Sequence, residues 1–192
     1  CGEGDYDNIG LRDREGAREI VSYLIKQGHR KIAFFCDQEI PIASNKARLI
    51  GYRDALKKYG IPYEEEDSYF LPQDNNLRYE VLRSFARHAR EKGYTAAFFA
   101  ADLYANEAIN VFFSKNLRVP EEMSVVGFDD NVYARLSRPT LTTVRQSPRQ
   151  KGVEAVRLFL KRLYGEEVLA RSMELPTELI VRESVRNIWK KN

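Results

Sequence analysis

Five polar side chains directly follow short apolar runs: Asp37, Gln73, Asp102 and the pair Asp129 and Asp130. In an open α/β sheet, ligands bind outside the carboxyl ends of the strands, so these positions are where chemistry is to be sought. Carboxylates there without His or Cys neighbours suit Mg²⁺ binding, acid/base work, or acceptance of hydrogen bonds from a polyol. Spacing alone does not rank the three. Asp102 also opens a predicted helix, where a short carboxylate can simply cap the first amides. Arg48 stands near the start of another predicted helix. Its planar fork of donors can clamp paired oxygens on a carboxylate, a phosphate or a vicinal diol, and its plainer reading is an exposed helix charge. Gln146 can both donate and accept, which fits a hydroxyl, and is equally readable as a surface amide.

Other chemistries lack their parts. His29 follows the helix-stopping Gly28 and His88 falls within a helix, which predicts turn and surface roles rather than a metal site or a catalytic triad. There is no Gly-x-Ser-x-Gly elbow and no phosphate loop, and Gly2-Glu3-Gly4 opens no helix. The two cysteines, Cys1 and Cys36, are too few for a disulfide framework and too far apart for a zinc or redox pair, which predicts a reducing compartment. Lys57-Lys58 and Lys190-Lys191 are short, without interleaved aromatics, and the formal charge of +3 from 31 basic and 28 acidic residues is too weak to mark a polyanion-binding surface. Apart from the Mg²⁺ option of the strand-end carboxylates, no cofactor or metal is expected.

The elements that must position these residues follow from periodicity. Ala17, Ile20, Val21, Leu24 and Ile25 recur at helical spacing between Asp13, which can cap, and Gly28, which can stop the helix. Lys31 to Cys36 is a continuous apolar run of the kind a strand covered on both faces shows. Leu49, Tyr52, Leu56 and Tyr59 predict a second helix, Tyr69-Phe70-Leu71 a brief strand, and Leu77, Val81, Phe85 and Ala89 a third helix. Ala96 to Ala100 is the next strand, Ala105, Ala108 and Phe112 mark a fourth helix, and Ser124 to Phe128 is a further strand. This alternation predicts an α/β fold with a doubly wound parallel sheet. The rhythm then breaks. Pro139 to Gln146 is extended, Val153, Val156, Leu160 and Leu163 line one face of a helix, and Leu179-Ile180-Val181 is a last strand. The 192 residues, 43% of them hydrophobic, suffice for one large domain or a domain and a fraction. The chain opens without Met on a polar, glycine-rich run, so it reads as a piece of a longer polypeptide. Without a roughly 20-residue apolar stretch or a signal-peptide pattern, it is expected in the cytoplasm with no membrane contact.

Five strings, in order, resemble the lactose-repressor (LacI/GalR) family of transcription regulators. They are Gly28-His29-Arg30-Lys31-Ile32-Ala33, the Arg48-Leu49-Ile50-Gly51-Tyr52-Arg53-Asp54-Ala55-Leu56 helix, the Val119 to Asp130 segment with its Gly127-Phe128-Asp129 core, Pro139 to Gln146, and Pro176 to Ser184. The resemblance implies a two-lobed, periplasmic-binding-protein-like fold with an effector between the lobes. It further implies a homodimer, and operator DNA bound through a helix-turn-helix domain that is not among these residues. On that plan residues 1–11 end the first lobe, 12–144 build a nearly complete second lobe, 147–175 return to the first, and 176–192 give the second its terminal strand and tail. Pro139 to Gln146 then becomes a crossover between lobes.

Residue by residue, the resemblance makes Arg48 the effector clamp, Asp129 the acidic effector ligand and Gln146 a polar contact after the crossover. Ser44, one helical turn before Arg48, and Gln73 fall where other members touch effector. Ala101-Asp102 departs from the Asn-Asp of many members, and the stacking aromatic often found at the Gln73 position is absent, which argues against a bulky ring-stacked effector. The implied effector is a sugar or sugar-like small molecule, and the implied function is allosteric control of transcription without catalysis. Two other readings share the pattern: an extracytoplasmic sugar-binding protein of a transport system, and a Mg²⁺-dependent enzyme using Asp102, Asp129 and Asp130. The helix around Asn106 and the loop around Leu136 correspond to the family's dimer contacts, and Arg48→Ala is expected to abolish effector response without unfolding the lobe.

Overall fold

The computed structural model describes residues 7–37, 42–165 and 172–189. Cys1, the Gly2-Glu3-Gly4 run and Lys190-Lys191 lie outside the described residues. At the centre is a four-stranded parallel sheet in the order β3 (Ser68–Phe70), β2 (Ile32–Cys36), β4 (Ala96–Phe99), β5 (Ser124–Val126). Every residue of β2, β4 and β5 is buried, as their unbroken apolar runs require of strands covered on both faces.

Alternation of side chains along the strands divides the core into two layers. Phe34 and Phe98 meet edge to face, 5.3 Å between centroids, beneath α1 (Asp13–Lys26) and α2 (Ala43–Lys58), which supply Ile20, Leu24, Tyr52 and Leu56. Phe35 and Phe99 stack at 4.5 Å on the other face, beneath α3 (Asn75–His88) and α4 (Asp102–Ser114), which supply Leu82, Phe85, Ala108 and Phe112. Of the predicted α3 stripe, Phe85 and Ala89 are buried and Leu77 is exposed, while Leu82 and Ala86 take further buried positions.

The later segments close around this sheet. After the short helix α5 (Val132–Leu136), β6 (Thr143–Arg145) runs antiparallel to β8 (Glu178–Ile180). Isolated parallel bridges from Val126 to Thr142 and from Asp129 to Arg145 tie the crossover to the end of β5. A separate parallel pair joins β1 (Asn8–Leu11) to β7 (Ser172–Leu175), and α6 (Pro148–Leu163) packs against β1, where Arg162 grips Asp7 with two 3.0 Å bonds. Strand β7 was not predicted. Its sequence Ser-Met-Glu-Leu alternates for only four residues and buries only Leu175, so the strand depends on its pairing with β1. Helix α6 buries none of its residues, and Val153, Val156, Leu160 and Leu163 of its predicted apolar face all stay exposed.

Two local expectations are corrected. His29 is fully buried rather than at the surface: its ring nitrogens lie 3.0 Å from Thr95 Oγ1 and 3.3 Å from the Arg186 carbonyl. The C-terminal segment folds back over that corner, and burial pushes the imidazole down to about 4, so it is neutral. Asp13 does not cap α1. The capping position belongs to Arg12, which makes no side-chain cap bond, and the Asp13 carboxylate turns inward to Arg48. No helix among the described residues is long and apolar enough to cross a membrane.

Candidate functional site

Arg48, Asp129 and Gln146 come together at the carboxyl ends of β4 and β5. Arg48 projects from α2 across the end of β4, where Nη1 donates to the Ala100 carbonyl at 2.5 Å. Nε and Nη2 both reach Oδ1 of Asp13, at 2.8 and 2.7 Å, and the guanidinium carbon lies 3.9 Å from the centroid of the Phe128 ring. Asp129 Oδ1 is 3.9 Å from Arg48 Nη1 and accepts a hydrogen bond from Gln146 Nε2. Burial pushes Asp129 up to about 6, against the pull of Arg48 and the Gln146 bond.

The backbone that aims Asp129 is unusual. Asp129 and Asp130 have φ of 124° and 54°, left-handed values that non-glycine residues seldom adopt and that cost roughly 1–3 kcal/mol each. The crossover holds them there: Asp129 N donates to the Val144 carbonyl at 2.8 Å, and Gln146 N returns to the Asp129 carbonyl at 3.3 Å. The strain thus fixes Asp129 and Gln146 relative to each other.

Ser44 is half-buried on the turn of α2 preceding Arg48. Gln73 is exposed beyond edge strand β3, where its carbonyl accepts from Arg78 Nη1 at 2.9 Å. Three strand spacings, about 14 Å, separate it from the end of β5, so it stands at the far end of the row from Asp129. Between them lies the predicted strand-end carboxylate Asp37, joined by two residues that the sequence did not single out. Asp37 accepts from Asn45 Nδ2 at 2.5 Å and from the Tyr104 hydroxyl at 3.2 Å. Asn45 precedes Arg48 by three residues and so shares its helical face, a spacing that could have exposed it. Tyr104 carries no comparable signal in the sequence.

The three carboxylates of the Mg²⁺ reading do not converge. Asp130 is buried between Arg145 Nε and Arg182 Nη2, at 2.6 and 2.5 Å; although burial opposes it, these bonds hold its carboxyl below the usual range. Asp102 is fully buried, accepting from Thr143 Oγ1 at 2.6 Å and from Asn131 N at 3.0 Å. Among the described residues no group of three or more His, Cys, Asp or Glu could hold a metal ion.

Burial pushes Asp102 up to about 7 from 3.8, against its two hydrogen bonds. Because the folded protein holds this proton more tightly than the unfolded chain, the stabilisation is full below about pH 4 and is lost as pH rises towards 7. Wild type should therefore lose stability relative to Asp102→Asn across that window, on the order of 1.4 kcal/mol per pH unit. Denaturant unfolding of both proteins at pH 5 and pH 7 checks this, and a constant gap between them would mean that Asp102 is ionised throughout.

The chain matches the family described as periplasmic binding protein-like domain over residues 21–185. The HTH-type transcriptional regulator CelR of Thermobifida fusca is 35% identical over 182 residues, which are 94% of this chain and 51% of that protein. Among solved structures, a complex of the transcriptional regulator CelR with cellobiose superposes with a TM-score of 0.83 at 31% identity, over 95% of this chain and 55% of that one. A LacI family transcriptional regulator from Mycobacterium smegmatis superposes with a TM-score of 0.84 at 27% identity, over 96% of this chain and 68% of that one. The chain spans about half the length of the curated relatives it matches.

Proposed function

Because the chain belongs to the periplasmic-binding-protein-like family and its relatives are LacI-family transcription regulators, we propose that it is the effector-binding part of such a regulator. The observation that carries this reading is the meeting of Arg48, Asp129 and Gln146 at one end of the sheet, on a backbone strained to aim Asp129. The effector is a carbohydrate, as the cellobiose in the CelR complex suggests by analogy. Arg48 donates to its hydroxyls, Asp129 accepts from them, and Gln146 does both. Ser44 lies beside Arg48, and Gln73 reaches only an effector that extends along the row.

Residues 12–144 and 176–192 form the second lobe in this reading, and 1–11 with 147–175 belong to the first. The β1–β7 pairing and the packing of α6 on β1 support that division, and so does the exposed apolar face of α6, which the rest of the first lobe covers. Phe113 at the end of α4 and Val132 and Leu136 of α5, all more than half exposed, support a homodimer contact there. Effector binding selects one arrangement of the lobes and shifts the dimer's affinity for operator DNA, which a separate helix-turn-helix reads in the cytoplasm. The protein performs no catalysis. A transport-system sugar-binding protein shares the fold, and regulator relatives favour the first reading.

Titration of the intact regulator on its operator with neutral mono- and disaccharides tests this. One sugar should change operator affinity at least about tenfold, within the usual range of allosteric coupling. Its binding should weaken about tenfold from pH 7 to pH 5, because Asp129, at about 6, takes up a proton and stops accepting. A panel in which no sugar alters operator binding removes the carbohydrate assignment.

A further inference from the structure

An arginine offered to a ligand with its fork free is an anion site. Arg48 is not free. Two of its nitrogens are bound to Asp13, a third reaches the Ala100 carbonyl, and Asp129 lies 3.9 Å from that same nitrogen. One guanidinium therefore faces two carboxylates. The Asp13 side chain is only 11% exposed, so it has no open path along which to swing away.

The rest of the row adds negative charge. Among the described residues, Asp37 accepts its hydrogen bonds from the neutral donors Asn45 and Tyr104. Three arginines near this end are committed to other carboxylates, Arg145 and Arg182 to Asp130 and Arg78 to Glu107 at 2.7 Å, while Arg12 and Arg149 are exposed at the surface. Lys46, two residues before Arg48, is exposed and points from a different side of α2.

A phosphate or carboxylate entering here would have to displace Asp13 or lie against uncompensated carboxylates in a half-buried site, where like charges are weakly screened. A polyol meets no such barrier. It can take the remaining N–H groups of Arg48 and donate to Asp129. The geometry points to an effector without negative charge, and to Asp13 as the residue that sets this preference. This rests on the effector-site reading above and goes beyond it by separating neutral sugars from sugar acids and sugar phosphates. Asp13 is a positioning residue: it acts by neutralising and orienting Arg48.

Calorimetric titration of the intact protein tests it with paired probes: cellobiose against cellobionate, glucose against glucuronate, and inorganic phosphate alone. Wild type should bind the neutral member of a pair at least about tenfold more tightly than its acid, and phosphate no tighter than about 10 mM, the weak end of the affinity scale. In Asp13→Asn the preference should narrow at least about tenfold and phosphate affinity should rise by a similar factor, with thermal unfolding confirming the fold. If that variant does not fold, Asp129→Asn should show the same gain in phosphate affinity. Wild type that binds the acid or phosphate as tightly as the neutral sugar overturns the inference, as does a folded Asp13→Asn with unchanged ratios. If no sugar binds at all, the carbohydrate reading falls, and the phosphate comparison between wild type and Asp13→Asn still decides the charge preference.

Discussion

Arg48→Ala in the intact regulator is expected to weaken effector binding at least about 100-fold and to leave operator binding indifferent to effector. A charged donor contributes roughly 1.5–3 kcal/mol per hydrogen bond, and two such bonds to a sugar account for a loss of that order. The alanine also leaves Asp129 beside a hole rather than opposite a cation, so the acceptor is repelled by Asp13 without relief. Calorimetry and the effector concentration for half-maximal response both measure the effect. A response retained at unchanged concentration would remove Arg48 from the site.

The same substitution cannot be read as a pure binding defect, and here the structure revises the sequence expectation that the lobe would tolerate it. The side chains of Arg48 and Asp13 are 9% and 11% exposed. Removing one partner of a buried ion pair strands the other charge and typically costs about 3–5 kcal/mol. Arg48→Lys separates the two effects. It keeps a cation for Asp13, so the fold should hold, while it loses the planar fork that spans Asp13 and the Ala100 carbonyl and lies over Phe128.

The difference between those expectations shows what kind of information the sequence carried. Strands β2 and β4 and the helices around them were legible because burial on both faces imprints itself on consecutive residues. Strand β7 was not, since its stability comes from β1, far away in the chain. Asp13 illustrates the same limit at the site. Its place before an apolar stripe matches the local preference for a cap, yet its actual partner is set by how α1 crosses α2, which no local pattern encodes. Arg48, Asp129 and Gln146 were each nameable from resemblance, whereas the neutralising carboxylate and the Asp37, Asn45 and Tyr104 grouping required the packed helices. His29 failed for a similar reason, because the residues that bury it come from the C-terminal segment.

That crossing can itself be perturbed. Gly51, buried in the Arg48-Leu49-Ile50-Gly51-Tyr52 string, faces α1 so closely that a Cβ would stand 2.2 Å from the Arg14 carbonyl oxygen and 2.8 Å from the Ala17 methyl. A methyl group there cannot be absorbed by rotating a flexible side chain, because its nearest neighbour is backbone; the helices must part. Overpacking of this kind costs typically 1–3 kcal/mol and sometimes more, so Gly51→Ala should lower the unfolding free energy by about 3 kcal/mol despite the better helix propensity of alanine. Gly152→Ala, where nothing lies within 4 Å of the added carbon, should instead stabilise the protein by up to about 1 kcal/mol. The opposite signs, read by denaturant unfolding, separate close approach from propensity. The parting of α1 from α2 also moves Asp13 from Arg48, so Gly51→Ala should weaken effector binding even at temperatures where the protein remains fully folded. Affinity unchanged in a destabilised Gly51→Ala would mean that the helix crossing supports the fold without setting the ion pair.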